Sequence, residues 1–375
     1  KPEIIIKKFM RKAIYTFALI SLFSLSFMPA LATTVSTGLT QDTTGGANPI
    51  VKAKWEMNGP SWSGATFIGT GTDDSTAAGA QFNPSGVKDK NKTITLCSIV
   101  TDPDGLADIN SVYGDVFYPT NIALGDSHKP LADQSGLGCG KLMQEDKLSK
   151  LSKADGLDIF CNKIRNNNNN LPTFASPYNY DEICKLDGEL QKETAAVYCV
   201  DKDLSYEDPS GNYEVWAVPQ DKVGLQDKLI NRFTYLQLTA FETDFTSVDY
   251  GNVRLNTHKI ISGNLLWEPA TSTMPTVRNV GNTRLIMGVM QDDMGFGQTS
   301  GVYNVKYDGR VGSGATFVNY FPFQTRALPD ALDLSEMDEM DFSIDVSKFP
   351  PTHTGPYVGT MTLSAGAITH LACTQ

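Results

Sequence analysis

The segment from Lys92 to Pro119 constrains the fold most strongly, because it holds two strand-like runs joined by a short turn. Apolar and polar side chains alternate in residues 92–101 and again in 111–118, which is the period of a β-strand. The turn Asp102-Pro103-Asp104-Gly105 separates them, since proline presets φ and aspartate and glycine favour tight turns. Two strands leave one face of a sheet uncovered, so the flanking chain must supply a second layer. The segment therefore predicts a β-sandwich.

Strand-like runs recur along the chain and fall into two groups, which a length of 375 residues can accommodate as two domains. The predicted strands outside the first segment are Ile50 to Met57, Ala195 to Leu204, Asn212 to Val218, Arg232 to Leu238, Phe245 to Val253, a strand pair within Thr276 to Val289, Met340 to Val346 and Tyr357 to Ser364. We expect one β-sandwich in 50–238 and a second in 239–375. Both belong to an all-β, antiparallel fold class.

An insertion at about residues 125–190 interrupts the strands of the first unit. Apolar residues have helical spacing in 141–153 and 157–164, and a third short helix is expected in 180–186. The five asparagines of 166–170 favour a loop, because their side chains compete with the helical backbone. The sequence thus predicts an α-helical insertion in the first sandwich.

The N-terminus has the order of a secretory signal peptide: a basic segment at 7–12, an apolar run at 13–27, and an Ala-x-Ala site ending at Ala32. We predict cleavage after Ala32 and interpret residues 1–9, which precede the first methionine, as upstream reading frame. The alternative is an uncleaved membrane anchor. No later stretch is apolar enough to span a bilayer, so we expect a secreted or cell-surface protein without a span in its mature chain.

The threonine-rich segment 33–49 follows the signal peptide. Its composition predicts a flexible leader. The alternative is that this uncharged, β-prone segment adds as a strand to the sheet edge of a neighbouring copy, which would make self-association its function.

The charge of the chain argues against nucleic acid as a partner. The formal net charge is -11, and the signal peptide is basic, so the remainder is more acidic still. Such a surface has no basic stripe with which to displace phosphate counterions.

Known catalytic motifs are missing from the sequence. It has no G-x-S-x-G, H-E-x-x-H, Walker or dinucleotide-binding pattern. The four histidines are widely spaced: His128, His258, His353 and His370. We therefore expect a protein that is not an enzyme. The alternative is an unrecognised hydrolase with a carboxylate pair in the insertion, such as Glu145 and Asp158.

The cysteines read as disulfide candidates, because an exported chain folds in an oxidising compartment and none of them has a metal-binding spacing. They are Cys97, Cys139, Cys161, Cys184, Cys199 and Cys373. We expect Cys161 and Cys184 to bridge the insertion and one further bridge to come from Cys97, Cys139 and Cys199. Cys373 would then be free or intermolecular.

Three short motifs resemble the immunoglobulin-like domains of prokaryotic surface proteins: the Asp102-Pro-Asp-Gly turn, the Gly211-x-Tyr213 strand start, and the hairpin at 218–224. In the last third of the chain, Asn279-x-Gly281-Asn282 and the run 355–363 are similar to C-terminal immunoglobulin-like modules of secreted bacterial and archaeal proteins. The resemblance implies a fold and a surface location. It transfers no catalytic residue, because such domains share none.

The resemblance also suggests a calcium site. In an immunoglobulin-like sandwich the loop after the second strand and the loop of the final hairpin lie at the same end. Asp102 and Asp104 would come from the first loop and Asp221 from the second, and carboxylate oxygens suit Ca²⁺. The alternative is that these aspartates only shape their turns. Calcium is the one cofactor that we expect, if there is any.

Two further positions are candidates for surface chemistry. Trp62 lies in a predicted loop, where it could stack on a ligand, whereas Trp216 lies in an alternating strand and is expected in the core. Asn91-Lys92-Thr93 is a glycosylation sequon. We interpret the whole chain as an exported structural protein that self-assembles into a filament or surface layer or contacts other surface components. The alternative is an adhesion module that binds carbohydrate or another surface ligand.

Overall fold

The computed structural model describes residues 46–69, 80–119, 142–166, 171–352 and 355–368. The predicted signal peptide, most of the leader, Cys139 and Cys373 lie outside these ranges. Antiparallel sheets dominate the described chain and form two successive β-sandwiches. The all-β fold class predicted from the sequence is therefore confirmed. No helix in the described ranges is long and apolar enough to cross a bilayer.

The first sandwich consists of two five-stranded sheets, ordered β8-β10-β5-β1-β9 and β4-β12-β11-β6-β7. Its strands are β1 (Ile50–Asn58), β2 (Trp62–Ser63), β3 (Thr66–Phe67), β4 (Gln81–Phe82), β5 (Asn91–Thr101), β6 (Ile109–Phe117), β7 (Leu142–Lys147), β8 (Ser149–Lys150), β9 (Thr173–Phe174), β10 (Ala195–Ser205), β11 (Gly211–Asp221) and β12 (Leu229–Tyr235). β2 and β3 form a separate hairpin. The sheet orders match the immunoglobulin arrangement, with β1, β5, β10 and β8 in one layer and β6, β11 and β12 in the other.

A tyrosine corner supports the immunoglobulin-like description. Tyr213 lies near the start of β11, is fully buried, and donates its hydroxyl to the carbonyl oxygen of Pro209 at 2.7 Å. This local bond fixes the turn before β11, as it does before the corresponding strand of other immunoglobulin-like domains.

The central strand β5 is covered on both faces. It is buried without interruption from Ile94 to Thr101, which is the pattern of a strand between two packed layers. One face meets the second sheet, because a methyl carbon of Leu96 lies 3.3 Å from where a Cβ would stand on Gly114 of β6. The other face carries Cys97, which is bonded to Cys199 of the adjacent strand β10. The first sandwich therefore needs a third layer.

The insertion supplies that layer. It contains α1 (Lys153–Leu157), a π-helical segment (Asp158–Ile164), α2 (Tyr180–Cys184) and α3 (Glu189–Lys192). The Phe160 ring lies 5.1 Å from that of Trp55 on β1, and the site of a Cβ on Gly156 lies 3.1 Å from Val197 on β10. The Cys161–Cys184 disulfide, the pairing expected from the sequence, joins the π-helical segment to α2.

The helix expected over 141–153 is wrong. Residues 142–150 form β7 and β8, and the first helix begins only at Lys153, after Ser152 caps it by accepting from the Asp155 amide. β7 pairs with β6, and β8 pairs with β10. These sheet hydrogen bonds override a leucine spacing that also fits a helix, and Leu142 is left 46% exposed.

The second sandwich packs a larger sheet, ordered β13-β15-β22-β19-β20 with β14 also paired to β22, against a sheet ordered β21-β16-β23. Its strands are β13 (Phe241–Thr243), β14 (Lys259–Ile261), β15 (Thr276–Asn279), β16 (Arg284–Gln291), β17 (Gln298–Thr299), β18 (Val302–Tyr303), β19 (Val305–Val311), β20 (Val318–Tyr320), β21 (Arg326–Leu332), β22 (Met337–Val346) and β23 (Met361–Ile368). A separate apolar core lies between the two sheets.

Two strand predictions in this half need correction. Residues 245–253 form no strand, although Phe245 and Tyr250 are buried in the core, because this stretch anchors two aromatic side chains instead of pairing its backbone. The last strand begins at Met361 rather than Tyr357, whose ring instead stacks on Phe296 at 4.3 Å.

Asn282 joins the two sandwiches. Its side chain accepts from the Leu238 amide at 2.7 Å and donates to the Leu236 carbonyl at 2.9 Å, and its own carbonyl accepts from the Ser210 amide at 2.9 Å. Leu334 of the second unit is buried in the core cluster of the first. The junction lies at the end of the first sandwich where β12 finishes, opposite to the end where β1 begins.

Candidate metal site

Three aspartates meet at the end of the first sandwich where β1 begins. Asp102 directly follows β5, Asp108 directly precedes β6, and Asp221 ends β11. One carboxylate oxygen from each lies within 4.8 Å of the others. Oxygens that share one Ca²⁺ at 2.3 to 2.6 Å lie no more than about 5 Å apart, so the spacing suits a single ion.

Each of the two buried aspartates uses one oxygen for its loop and keeps the other free. Oδ1 of Asp102 accepts from the Asp104 amide at 2.8 Å, and Oδ1 of Asp221 accepts from the amides of Val223 and Leu225 at 2.9 and 2.7 Å. Asp102 is 4% exposed and Asp221 is 1% exposed, yet the Oδ2 atom of each has no hydrogen-bond partner among the described residues. A buried carboxylate oxygen without a donor is costly, and a cation would relieve that cost.

The electrostatics of the site also favour a cation. Burial raises the pKa of Asp102, and the negative charges of Asp108, Asp104 and Asp221 raise it further, while the hydrogen bond from the Asp104 amide opposes the shift. In the part of the chain that the structure describes, no ion pair involves any of these aspartates. A divalent ion would offset the negative charges of these aspartates, which form no ion pair with any described residue.

Asp104, which the sequence also predicts for this site, is not among the three aspartates whose oxygens cluster. Its Oδ2 atom accepts from the Ala47 amide at 2.7 Å, so it holds the chain that precedes β1. A Cβ on Gly46 would lie 3.0 Å from that oxygen, 3.7 Å from Asp221 Oδ2 and 3.8 Å from Asp108 Oδ2. The backbone before β1 therefore lies directly against the aspartates. Asp108, which the sequence reasoning missed, sits in the same short loop as Asp102, and that shared loop was the available signal.

The carboxylates proposed for a hydrolase do not form a pair. Glu145 lies on β7 opposite Asp115, in the second sheet. Asp158 belongs to the π-helical segment, which covers the other sheet, and pairs with Lys163 at 3.2 Å. The pKa of Asp158 is lowered, and the hydrogen bond from Lys163 is the largest cause. The two groups lie in different layers, so they share no site.

The tryptophan expectations are partly wrong. Trp62 lies in the β2–β3 hairpin, half-buried, with its ring edge-on to Phe67 at 5.2 Å and packed against the first core. Trp216 does not point into the core. It lies half-buried on the outer face of β11, 4.8 Å from the Phe117 ring and 4.1 Å from the Lys228 ammonium, because the buried face of β11 is formed by its odd-numbered residues.

Asn91 is exposed at the first position of β5. Its amide lies 3.5 Å from a carboxylate oxygen of Asp203. Its glycosylation stays a prediction.

A serine, a histidine and an aspartate also meet in the second sandwich. Nε2 of His258 lies 2.6 Å from both Asp308 Oδ2 and Ser343 Oγ, and Ser343 donates to Asp308 at 2.9 Å. A hydrolytic triad needs the acid and the nucleophile on opposite ring nitrogens, and an exposed nucleophile. Here both contact the same nitrogen, and Ser343 is fully buried. The cluster connects β19 to β22, on which Asp308 and Ser343 are paired, and it lacks the geometry of a triad.

The fold defines the class of this protein as an immunoglobulin-like β-sandwich protein with two successive units. No family model matches the sequence, and a comparison with curated proteins found no match.

A comparison with solved structures matched the C-terminal domain of the Streptococcus pyogenes antigen I/II-family protein AspA, at 11% identity over 88% of this chain and 98% of that one, with a TM-score of 0.21. Carbohydrate-binding modules of the β-sandwich superfamily match at 10% identity over 87% and 99%, with a TM-score of 0.18. The CupB6 tip adhesin from Pseudomonas aeruginosa matches at 10% over 84% and 96%, with a TM-score of 0.23. At these values the matches carry no conclusion about function.

Proposed function

We propose that this chain is an exported structural protein of the cell surface or extracellular space, and that it is not an enzyme. The observation that carries the proposal is the arrangement of the two sandwiches in series. The chain enters the first sandwich at its aspartate-lined end and leaves at the opposite end, where Asn282 joins it to the second. Sandwiches joined end to end suit a protein that spans a distance or transmits tension.

The disulfides support export. Cys97–Cys199 lies in the buried interior of the first sandwich, and Cys161–Cys184 ties the insertion that covers it. Bridges of this kind persist in oxidising compartments, outside the reducing cytosol.

Within this function, Ca²⁺ would bind Asp102, Asp108 and Asp221 and rigidify the free end of the first sandwich. The loops that carry these residues and the chain before β1 all converge there. An ion at this point would fix the direction in which the preceding segment leaves the sandwich.

Calorimetry and thermal melting of the full chain with added Ca²⁺ test the metal site. The wild type should bind the ion and melt at a higher temperature, and Asp221→Asn should lose both effects, while its amide oxygen can still accept from Val223 and Leu225. Asp187→Asn, at an exposed aspartate of the insertion, is the matched control and should keep both effects. A wild type that gives neither heat nor a melting shift with Ca²⁺ would rule out the site.

Electron microscopy of the purified mature protein tests the structural role. Ordered filaments or layers support it, and deletion of residues 33–45 shows whether the leader is needed for assembly. A monodisperse monomer that retains glycans on an array would support the binding alternative instead.

One observation favours the binding alternative, and it concerns the second sandwich rather than Trp62. A pocket of about 360 Å³ in the second sandwich is lined by the aromatic side chains of Phe296, Phe349 and Tyr357. One face of the Tyr357 ring stacks on the buried Phe296, but Tyr357 is itself only half-buried, and an aromatic side chain at such a pocket can contact sugars or other flat ligands. Tyr357→Ala should abolish glycan retention if the pocket binds them, and Trp62→Ala should leave it unchanged.

A further inference from the structure

A buried polar cluster lies between the two sheets of the first sandwich. Lys54 and Glu56 stand two residues apart on β1, so both point to the same side, and Asn231 of β12 reaches them from the opposite sheet. Lys54 is 2% exposed and Glu56 is 0% exposed. Lysine and glutamate are seldom buried to this extent, so the cluster requires an explanation.

The contacts arrange three chemical groups around one point. Oε1 of Glu56 accepts from Lys54 Nζ at 2.7 Å, and Oε2 of Glu56 accepts from Asn231 Nδ2 at 2.7 Å. Nζ of Lys54 also contacts Oδ1 of Asn231 directly. One carboxyl group thus bridges an amine and an amide nitrogen, and the amine lies against the carboxamide whose carbon it could attack.

The surroundings suit a nucleophilic lysine. Burial lowers the pKa of Lys54, although the charge of Glu56 and its hydrogen bond oppose that shift. A neutral amine is the nucleophilic form, and a buried site that excludes water protects it from competing hydrolysis. Groups held in contact also gain the rate advantage of proximity.

We propose that Lys54 and Asn231 are joined by an intramolecular isopeptide bond that forms within the folded sandwich. Nζ of the neutral lysine attacks Cγ of Asn231, and a new C–N bond forms. Glu56 takes a proton from Nζ and delivers it to Nδ2, the C–Nδ2 bond breaks, and ammonia leaves. The product is a secondary amide, Glu56 ends in its starting protonation state, and no oxidant or cofactor is required.

The cluster differs from the surroundings of the other buried lysine of β1. Lys52 contacts the Glu189 carboxylate and lies 4.4 Å from the centre of the Tyr178 ring. Among the described residues, Lys52 contacts no carboxamide, so it has no acyl group to attack. This neighbour on the same strand serves as the internal control.

The bond would connect the first strand of the sandwich to its last. The linked residues are 177 positions apart, and β1 and β12 belong to different sheets. The inference goes beyond the proposed structural role, because it assigns a covalent modification that is independent of both the metal site and assembly.

Mass spectrometry of the full chain, purified, with its disulfides reduced, tests the proposal. The wild type should be lighter than its sequence mass, counted from the N-terminus actually found, by one ammonia molecule. Trypsin should release a branched peptide in which Leu229–Arg232 is attached to the peptide that begins at Ala53. The branched peptide separates this bond from loss of ammonia at any other residue.

Variants assign the roles. Lys54→Arg, which keeps the charge but removes the nucleophile, and Asn231→Ala should both restore the full mass, whereas Lys52→Arg should keep the deficit. Glu56→Gln should also give the full mass, with near-ultraviolet circular dichroism as the check on folding. A folded wild type of full mass without the branched peptide overturns the proposal, whatever the variants do. A complete bond in Glu56→Gln overturns the role of Glu56.

Discussion

Asp208 is a buried carboxylate near the junction of the two sandwiches. It is 3% exposed, and it accepts from the Ser205 amide at 2.7 Å and from the Tyr118 hydroxyl at 3.1 Å. Burial raises its pKa to about 6, against the opposing effect of these two hydrogen bonds and of the Lys202 charge. The folded state therefore binds a proton at Asp208 more tightly than the unfolded chain does.

This shift gives a pH dependence with a definite sign. Because the pKa is raised on folding from 3.8 to about 6, the contribution of Asp208 to stability is fully present below about pH 4 and is lost as the pH rises through about 6. The loss is about 2 to 3 kcal/mol. We expect Asp208→Asn to remove this part of the dependence in urea unfolding measured at pH 4 and pH 7. Asp187→Asn should keep it, and an unchanged dependence in Asp208→Asn would contradict the assignment.

Some residues of the two candidate sites could be predicted from the sequence and others could not, and both outcomes have physical reasons. Asp102 and Asp221 could be found because turn formulas mark the loops that meet at one end of a sandwich. The Lys54–Glu56–Asn231 cluster could not. On β1 the charged residues alternate with Ala53 and Trp55, which reads as a solvent-facing stripe opposite an apolar one. Only the packed structure shows that both faces of β1 are covered.

Strands were easier to find than the borders of the insertion. The long strands β5, β10, β11 and β22 could be predicted because a period of two persists over many residues. The short stretch 142–150 carries too few apolar residues to separate a helix from a strand, and its pairing with β6 and β10 decides the outcome. Tertiary contacts also determine the structure of residues 245–253. Two aromatic residues that are buried in the core give this stretch the sequence pattern of a strand, although it forms none.

The insertion acts as a cover for one sheet, and its disulfide can be tested as such. The bridge between Cys161 and Cys184 closes a separation of 23 residues. Replacing both cysteines with alanine should lower the free energy of unfolding by about 3 kcal/mol, because the unfolded chain regains the freedom of that loop. Hydrogen exchange should show the loss of protection concentrated in α1, the π-helical segment and α2.

The second bridge provides the contrast for that experiment. Replacing Cys97 and Cys199, which are 102 residues apart within one sheet, should cost more and should loosen β5 and β10 themselves. Equal patterns of exchange in the two double variants would contradict the description of the insertion as a separate covering layer.

The two sandwiches should unfold together as long as Asn282 is present. Its side chain is fully buried and carries two of the four hydrogen bonds that it makes across the junction. We expect Asn282→Ala to split one calorimetric transition into two, because a junction without these bonds couples the units less strongly. Asn319→Ala, at an exposed position of β20, should leave a single transition. A single transition in Asn282→Ala would show that apolar contacts such as Leu334 suffice.

The sequence separations within the first sandwich imply an order in which its cross-links can form, because the chain is synthesised from its N-terminus. The Cys161–Cys184 pair can meet after a short stretch has appeared, Cys97 must wait for Cys199, and Lys54 must wait for Asn231, which lies on the final strand. The loop between Cys161 and Cys184 can therefore close first, and the loop between Lys54 and Asn231 closes last. A ligation between Lys54 and Asn231 would thus mark only those molecules whose first sandwich had been completed.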